Sequence, residues 1–166
     1  LPDIAGRFIY TIPISGGAIN VSNVSSGVYG IDPQLAQTIT VSANPGAGGQ
    51  IQPGRSIIIS APSGTVNITS NIEYTGAALS RAADIPQVVI IADTINIADS
   101  VTNIDAWLVA TGTNGNINTC ASISNPVAQL NANVCNQKLT INGPVVAKHL
   151  YLYRTAGSDT GAGSGN

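Results

Sequence analysis

Charge is the scarcest commodity in this chain. Only 8% of its 166 residues are charged, against about 25% in an average soluble domain. There are two lysines, Lys138 and Lys148, and one glutamate, Glu73. Six basic residues, scattered from Arg7 to Arg154, with a net charge of −2, exclude the clustered positive footprint that nucleic acid needs. Methionine is absent, and histidine, tryptophan and phenylalanine occur once each. No apolar run approaches the ~18 residues of a membrane helix. No Gly-x-Ser-x-Gly elbow is present, and no glycine-rich nonapeptide of a calcium-binding β-roll. The chain opens on Leu1 without Met, which reads as a mature form or a fragment.

What is present is aliphatic and β-branched. Hydrophobic residues make up 43% of the chain, Ile and Val foremost, which argues for a packed core rather than disorder. Asn, Ser, Thr, Gln and Gly must cover the surface, a composition common in exported β proteins. Three stretches repeat one theme of short apolar runs separated by turns. Ile57–Ser60 leads through Pro62 and Gly64 to Val66–Thr69 and Ile72–Tyr74. Val88–Ala92 leads through Asp93 to Ile95–Ala98 and on to Ala106–Ala110. Leu139–Ile141 leads through Asn142-Gly143-Pro144 to Val145–Val146 and Leu150–Tyr153. No stretch reads as a helix, although Ala77–Ala83 has the composition for one helical turn.

The expected fold is all-β: a parallel β-helix or solenoid over residues 51–156, with an N-terminal β cap or arm over 1–50 and a flexible Gly/Ser tail over 157–166. In the first segment, Phe8–Thr11, Ile19–Val24 and Gln37–Ser42 read as strands. Ile14–Gly17, Tyr29–Pro33 and Asn44–Gly49 read as turns or loops. Two excursions, Thr75–Pro86 and Gly112–Gln137, interrupt the ladder. The runs Ile57-Ile58-Ile59 and Val88-Val89-Ile90-Ile91 suggest burial on both faces, and only Asn142-Gly143 and Asn114-Gly115 suit tight hairpins. A β-sandwich is the alternative.

Residues 86–92, with Ile95-Asn96-Ile97 and Ile104–Gly112, and later Asn142–Ala147 with Leu150 and Arg154–Gly157, resemble β-helical modules of large, mostly uncharacterised exported bacterial surface proteins. The resemblance spans about residues 85–157. It implies that architecture and an extracellular or cell-surface location. It implies no activity and carries over no catalytic residue.

Chemistry has few places to reside. Cys120 and Cys135 read as a disulfide closing a surface excursion, worth about 3 kcal/mol in the chain-entropy model; without a nearby histidine they make no zinc site. Asp93, Asp99 and Asp105, evenly spaced, would suit Ca²⁺ or the acid and base of a polysaccharide-cleaving β-helix, but Asp also caps turns. His149, Tyr151 and Tyr153 alternate with Leu150 and Leu152. The leucines are expected to face inward and the three rings to share an outer face that would meet sugars or a partner. Trp107 reads as a core or loop-covered residue. Thr-x-Thr, the signature of an ice-binding solenoid, occurs only at Thr38–Thr40 and Thr111–Thr113.

The leading expectation is a non-enzymatic structural or assembly module, without catalytic residues, metal or cofactor. It would associate with itself or other surface proteins through strand stacking and loop surfaces. The alternatives are a carbohydrate-binding module that meets glycans, a polysaccharide-active β-helix and an ice-binding solenoid.

Overall fold

The computed structural model describes residues 12–31, 37–44, 50–75, 80–121 and 135–154. Phe8–Thr11, Asp32-Pro33, residues 45–49, the centre of the cysteine-flanked excursion and the tail lie outside them. The described chain is all-β. Its strands are β1 (Ile12–Pro13), β2 (Ala18–Asn20), β3 (Gly27–Gly30), β4 (Thr38–Ser42), β5 (Ser56–Ile68), β6 (Gln87–Ile97), β7 (Asn103–Ile104), β8 (Trp107–Ala110), β9 (Asn116–Asn118), β10 (Thr140–Ile141), β11 (Val145–Ala147) and β12 (His149–Tyr151). Short 3₁₀ turns occupy Ser15–Gly17 and Ala82–Asp84.

Every strand pairing among these residues is parallel. Ten strands form one sheet, and β7 with β10 a second of two. Within the large sheet two strips share β5 and β6: β1-β3-β5-β6-β8-β11, and β2-β4-β5-β6-β9-β12. Bridges Ile51–Tyr74 and Ile72–Ile104 continue the ladder beside β7 and β10. β1 to β4 therefore belong to the same sheet as the rest.

Period-two alternation builds the core. Along β5 and β6, every second residue from Ile57 and Val88 is buried up to each strand's bend. Because the strands are in register, these residues form columns. Tyr29, Ile59, Ile90 and Leu108 make one; Ile39, Val66, Ile95 and Ile117 another; Ala61, Ala92 and Ala110 a third. All are buried. Burying each large aliphatic side chain contributes roughly 1.5–3 kcal/mol, and stacking like on like lets successive layers share one shape.

Several local expectations are corrected. The paired runs around Pro62 and Asp93 are not separate strands: β5 and β6 each run through, with a register shift between Ala61 and Thr65 where Pro62-Ser63-Gly64 oppose the single residue Asp93. Ile58, Val89 and Ile91 are only half-buried, because the outer side of the continuous runs is a ladder shielded by its neighbours, with no covering layer among the described residues. Tyr29 and Gly30 end a strand instead of opening a turn. Of the helical turn expected over Ala77–Ala83, residues 77–79 lie outside the described ones, and the described part carries a 3₁₀ turn at Ala82–Asp84, where Arg81 N–H donates to Asp84 Oδ2 at 3.0 Å. Trp107 is 47% exposed, since β8 places it on the outward side of the alternation.

Polar side chains hold the corners. Asn71 Oδ1 accepts from the N–H groups of Thr102 (2.8 Å) and Asn103 (3.2 Å). Arg154 Nη2 donates to the carbonyls of Ala98 (2.7 Å) and Val101 (3.0 Å), and its Nε to that of Thr119 (2.7 Å). Burial lowers the pKa of this guanidinium, partly opposed by the charge of Asp99. Among the described residues no buried side-chain N or O lacks a partner, and no helix is long and apolar enough to cross a membrane.

Candidate functional site

The outer side of the second strip carries the three aromatic candidates, and the register shows what lies beside them. Thr38, Thr65, Thr94, Asn116 and His149 form one column. Thr40, Asn67, Asn96, Asn118 and Tyr151 form the next. The buried residues Ile39, Val66, Ile95 and Ile117 lie between the two, with Leu150 next in line, so alternation alone turns both columns outward. Parallel strands set the rows about 4.8 Å apart, and alternate residues along a strand lie roughly 6.7 Å apart. The result is an array of hydroxyls, methyls and amides without an acidic or lysine side chain.

Asn96 Nδ2 donates to Asn67 Oδ1 at 3.0 Å, linking two rows. The hydroxyls of Thr38, Thr40 and Thr65 have no partner among the described residues, and Thr94 Oγ1 makes only a long 3.4 Å bond to Asp93. Single-sequence reading missed this array. Its signal was present in Thr38-Ile39-Thr40, Thr65-Val66-Asn67, Thr94-Ile95-Asn96 and Asn116-Ile117-Asn118, but the uneven intervals hid it, and Asn fills places where a Thr-x-Thr search sees nothing.

His149, Tyr151 and Tyr153 do come together. The His149 and Tyr151 rings stack with centroids 6.4 Å apart, and those of Tyr151 and Tyr153 at 5.6 Å. The three rings thus form a row along one side, with His149 and Tyr151 exposed and Tyr153 half-buried. His149 Nδ1 donates to the Asn114 carbonyl at 3.1 Å, which fixes the proton on that nitrogen in the neutral ring. Tyr153 packs against the Cys120–Cys135 disulfide, whose Cα atoms are 6.0 Å apart. Buried Thr119 ties the segment down: its hydroxyl donates to the Tyr151 carbonyl and accepts from Tyr153 N–H, each at 2.9 Å. Leu150 and Leu152, expected inside, are exposed. Leu150 keeps its place in an inward column, but no described strand lies beyond β12 to cover it.

The three aspartates do not converge. Asp93 accepts from Asn114 at a corner, Asp99 from Ser100 N–H at 2.9 Å, and Asp105 from Tyr74 N–H at 2.8 Å and from Asn142 Nδ2 at 2.8 Å. Among the described residues no three His, Cys, Asp or Glu side chains gather as a metal site. For Asp93, burial raises the pKa, but hydrogen bonds from Asn114, Gly115 and Thr94 outweigh it and hold the carboxyl below its usual range. The Tyr74 hydroxyl is pushed up by burial, with a smaller push from Asp105, against the lowering effect of a hydrogen bond from Val88 N–H. Trp107 lies in the other strip, in register with Val89, apart from the three rings.

Comparison with known families, with curated proteins and with solved structures finds no match to this chain.

Proposed function

We propose that the chain is a parallel β-solenoid serving as a non-enzymatic structural module of an exported cell-surface or extracellular assembly. The observation that carries this reading is the continuity of the inward columns through successive parallel strands. Each layer satisfies the main-chain hydrogen bonds of the next, and the architecture grows by adding layers. The use of polar chemistry supports it: Asp93, Asp105, Asn71 and Arg154 all hold main-chain corners. The disulfide suits an oxidising compartment. Light scattering across a concentration series tests the assembly role, with glycan hydrolysis followed on the same sample. Association without turnover is the expected result. A monomer at every concentration, or turnover of a glycan, overturns it.

One observation favours a second reading. The Thr and Asn columns form a regular, uncharged lattice that presents methyls and hydroxyls together, which suits ordered water at an ice surface. Thermal hysteresis in the native chain, abolished by Thr65→Lys at the centre of the face, is the expected result; its absence in the native chain removes the reading.

A further inference from the structure

The column that begins at Ile12 and passes through Tyr29, Ile59, Ile90 and Leu108 ends at Val145. Its inner residues are buried, whereas Ile12 is 44% and Val145 37% exposed. The neighbouring column of Ile39, Val66, Ile95 and Ile117 ends at Leu150, 47% exposed, and Leu152 just beyond is 73% exposed. β1, β2, β11 and β12 each pair on one side only among the described residues. Among the described residues, the β11–β12 end thus presents an exposed apolar layer beside an unpaired main-chain edge.

Among the described residues nothing covers that layer. Residues 155–166 contain no apolar side chain larger than Ala. Nor is the edge guarded by charge, the usual protection of an exposed strand. Lys148 Nζ folds back to the carbonyls of Gly112 (2.7 Å) and Thr113 (3.1 Å), and Arg154 points into the preceding layer.

We propose that the β11–β12 end receives the β1–β2 end of a second copy, head to tail. The proposal rests on the structural reading above and specifies which surfaces meet. Because every pairing is parallel, a copy translated along the stack offers β1 to β11 in the direction the sheet requires, and its Ser15–Gly17 turn and the start of β2 then lie over β12, with Ala18 in the column of Tyr151. Continuing the columns sets Ile12 of the incoming copy over Val145. Extended one residue beyond β2, the same register brings Gly17, the last residue of the 3₁₀ turn, toward Leu150, where it presents no side chain. Pro13 has no N–H to donate, so the junction has fewer ladder bonds than an internal layer and forms reversibly. The two surfaces differ, so the contact is heterologous. Repeated by translation it gives an open filament and no closed dimer.

Sedimentation velocity on the whole chain tests this with one block at each end. Leu150→Lys charges the β12 end and Ile12→Lys the β1 end. Both side chains are substantially exposed, and circular dichroism confirms that each variant folds. Leu152→Lys replaces Leu150→Lys if the latter melts early. The native chain is expected to grow past the dimer as concentration rises. Each variant alone is expected to stay monomeric. An equimolar mixture is expected to give dimers and nothing larger, since only one intact pair of ends remains. Native-like association of either variant alone, or a mixture that stays monomeric while the native chain assembles, overturns the head-to-tail contact and leaves the structural reading standing. A native chain that is monomeric throughout overturns both.

Discussion

Asn114 grips Asp93 with two hydrogen bonds, its main-chain N–H to one carboxylate oxygen at 2.8 Å and its side-chain Nδ2 to the other at 2.6 Å. The contact joins the bend of β6 to the turn between β8 and β9, and all its donors are neutral. The folded state therefore favours the ionised carboxylate. Its contribution to stability is fully present above the unfolded pKa of about 3.9 and is lost as pH falls through the lower folded value. Asp93→Asn should lower the thermal midpoint at pH 7, with the gap to the native chain closing below about pH 4. Because no cation is involved, the gap at pH 7 should not shrink when salt is raised, which separates this corner from an ion pair.

The same corner excludes a side chain at Gly112. A Cβ there would collide with Asp93 Oδ1 and lie 2.7 Å from its Cα. Gly112→Ala should destabilise by about 1–3 kcal/mol, as forced overpacking does, read as a lower urea midpoint at unchanged slope. In the double variant with Asp93→Gly the penalty of the added methyl should fall.

Arg154 binds carbonyls more than fifty residues away in sequence, those of Ala98 and Val101, as well as that of Thr119. Removing it orphans several acceptors at the end of β6. Arg154→Met should cost about 2 kcal/mol in chemical denaturation. Arg154→Lys should recover less than half of that, since one ammonium cannot span the positions a planar fork reaches.

The parts of this architecture that local sequence carries are those that depend on period two. Runs such as Ile95-Asn96-Ile97 and Thr38–Ser42 announce strands by themselves, and the placement of His149, Tyr151 and Tyr153 on one face follows from the same alternation. What eluded sequence reading depends on which strand lies over which. The Thr/Asn array exists only because Thr65 falls on Thr38 and Thr94 on Thr65, a register set by excursions of unequal length. Trp107 sits in an apolar run that looks like core, yet its outward place follows from β8 beginning one residue after Ala106. Leu150 reads as an inward residue and holds an inward position. Its exposure reflects the end of the stack, which no local pattern encodes.

Reducing the Cys120–Cys135 bond should lower stability by about 3 kcal/mol. The effect should also be visible in the aromatic face. Tyr153 leans on the disulfide and stacks on Tyr151, so its loss should weaken the near-ultraviolet tyrosine signal under native conditions. Trp107, in the other strip, should keep its fluorescence. A Cys120→Ala, Cys135→Ala double variant with unchanged near-ultraviolet dichroism would separate the ring stack from the bridge.

Ile95 and Leu150 share one inward column, two layers in from the open end and at it. Ile95 is completely buried between Val66 and Ile117, so Ile95→Ala leaves a cavity that neighbours in register cannot close. It should cost about 2–5 kcal/mol. Among the described residues Leu150 has a column neighbour on one side only, and Leu150→Ala should cost less than half as much at dilutions where the chain is monomeric. The comparison is internal: same column, same strip, side chains of equal carbon count. Two equal penalties in urea would mean that the β12 layer is covered in solution, and the difference should shrink as protein concentration rises if a second copy supplies that cover.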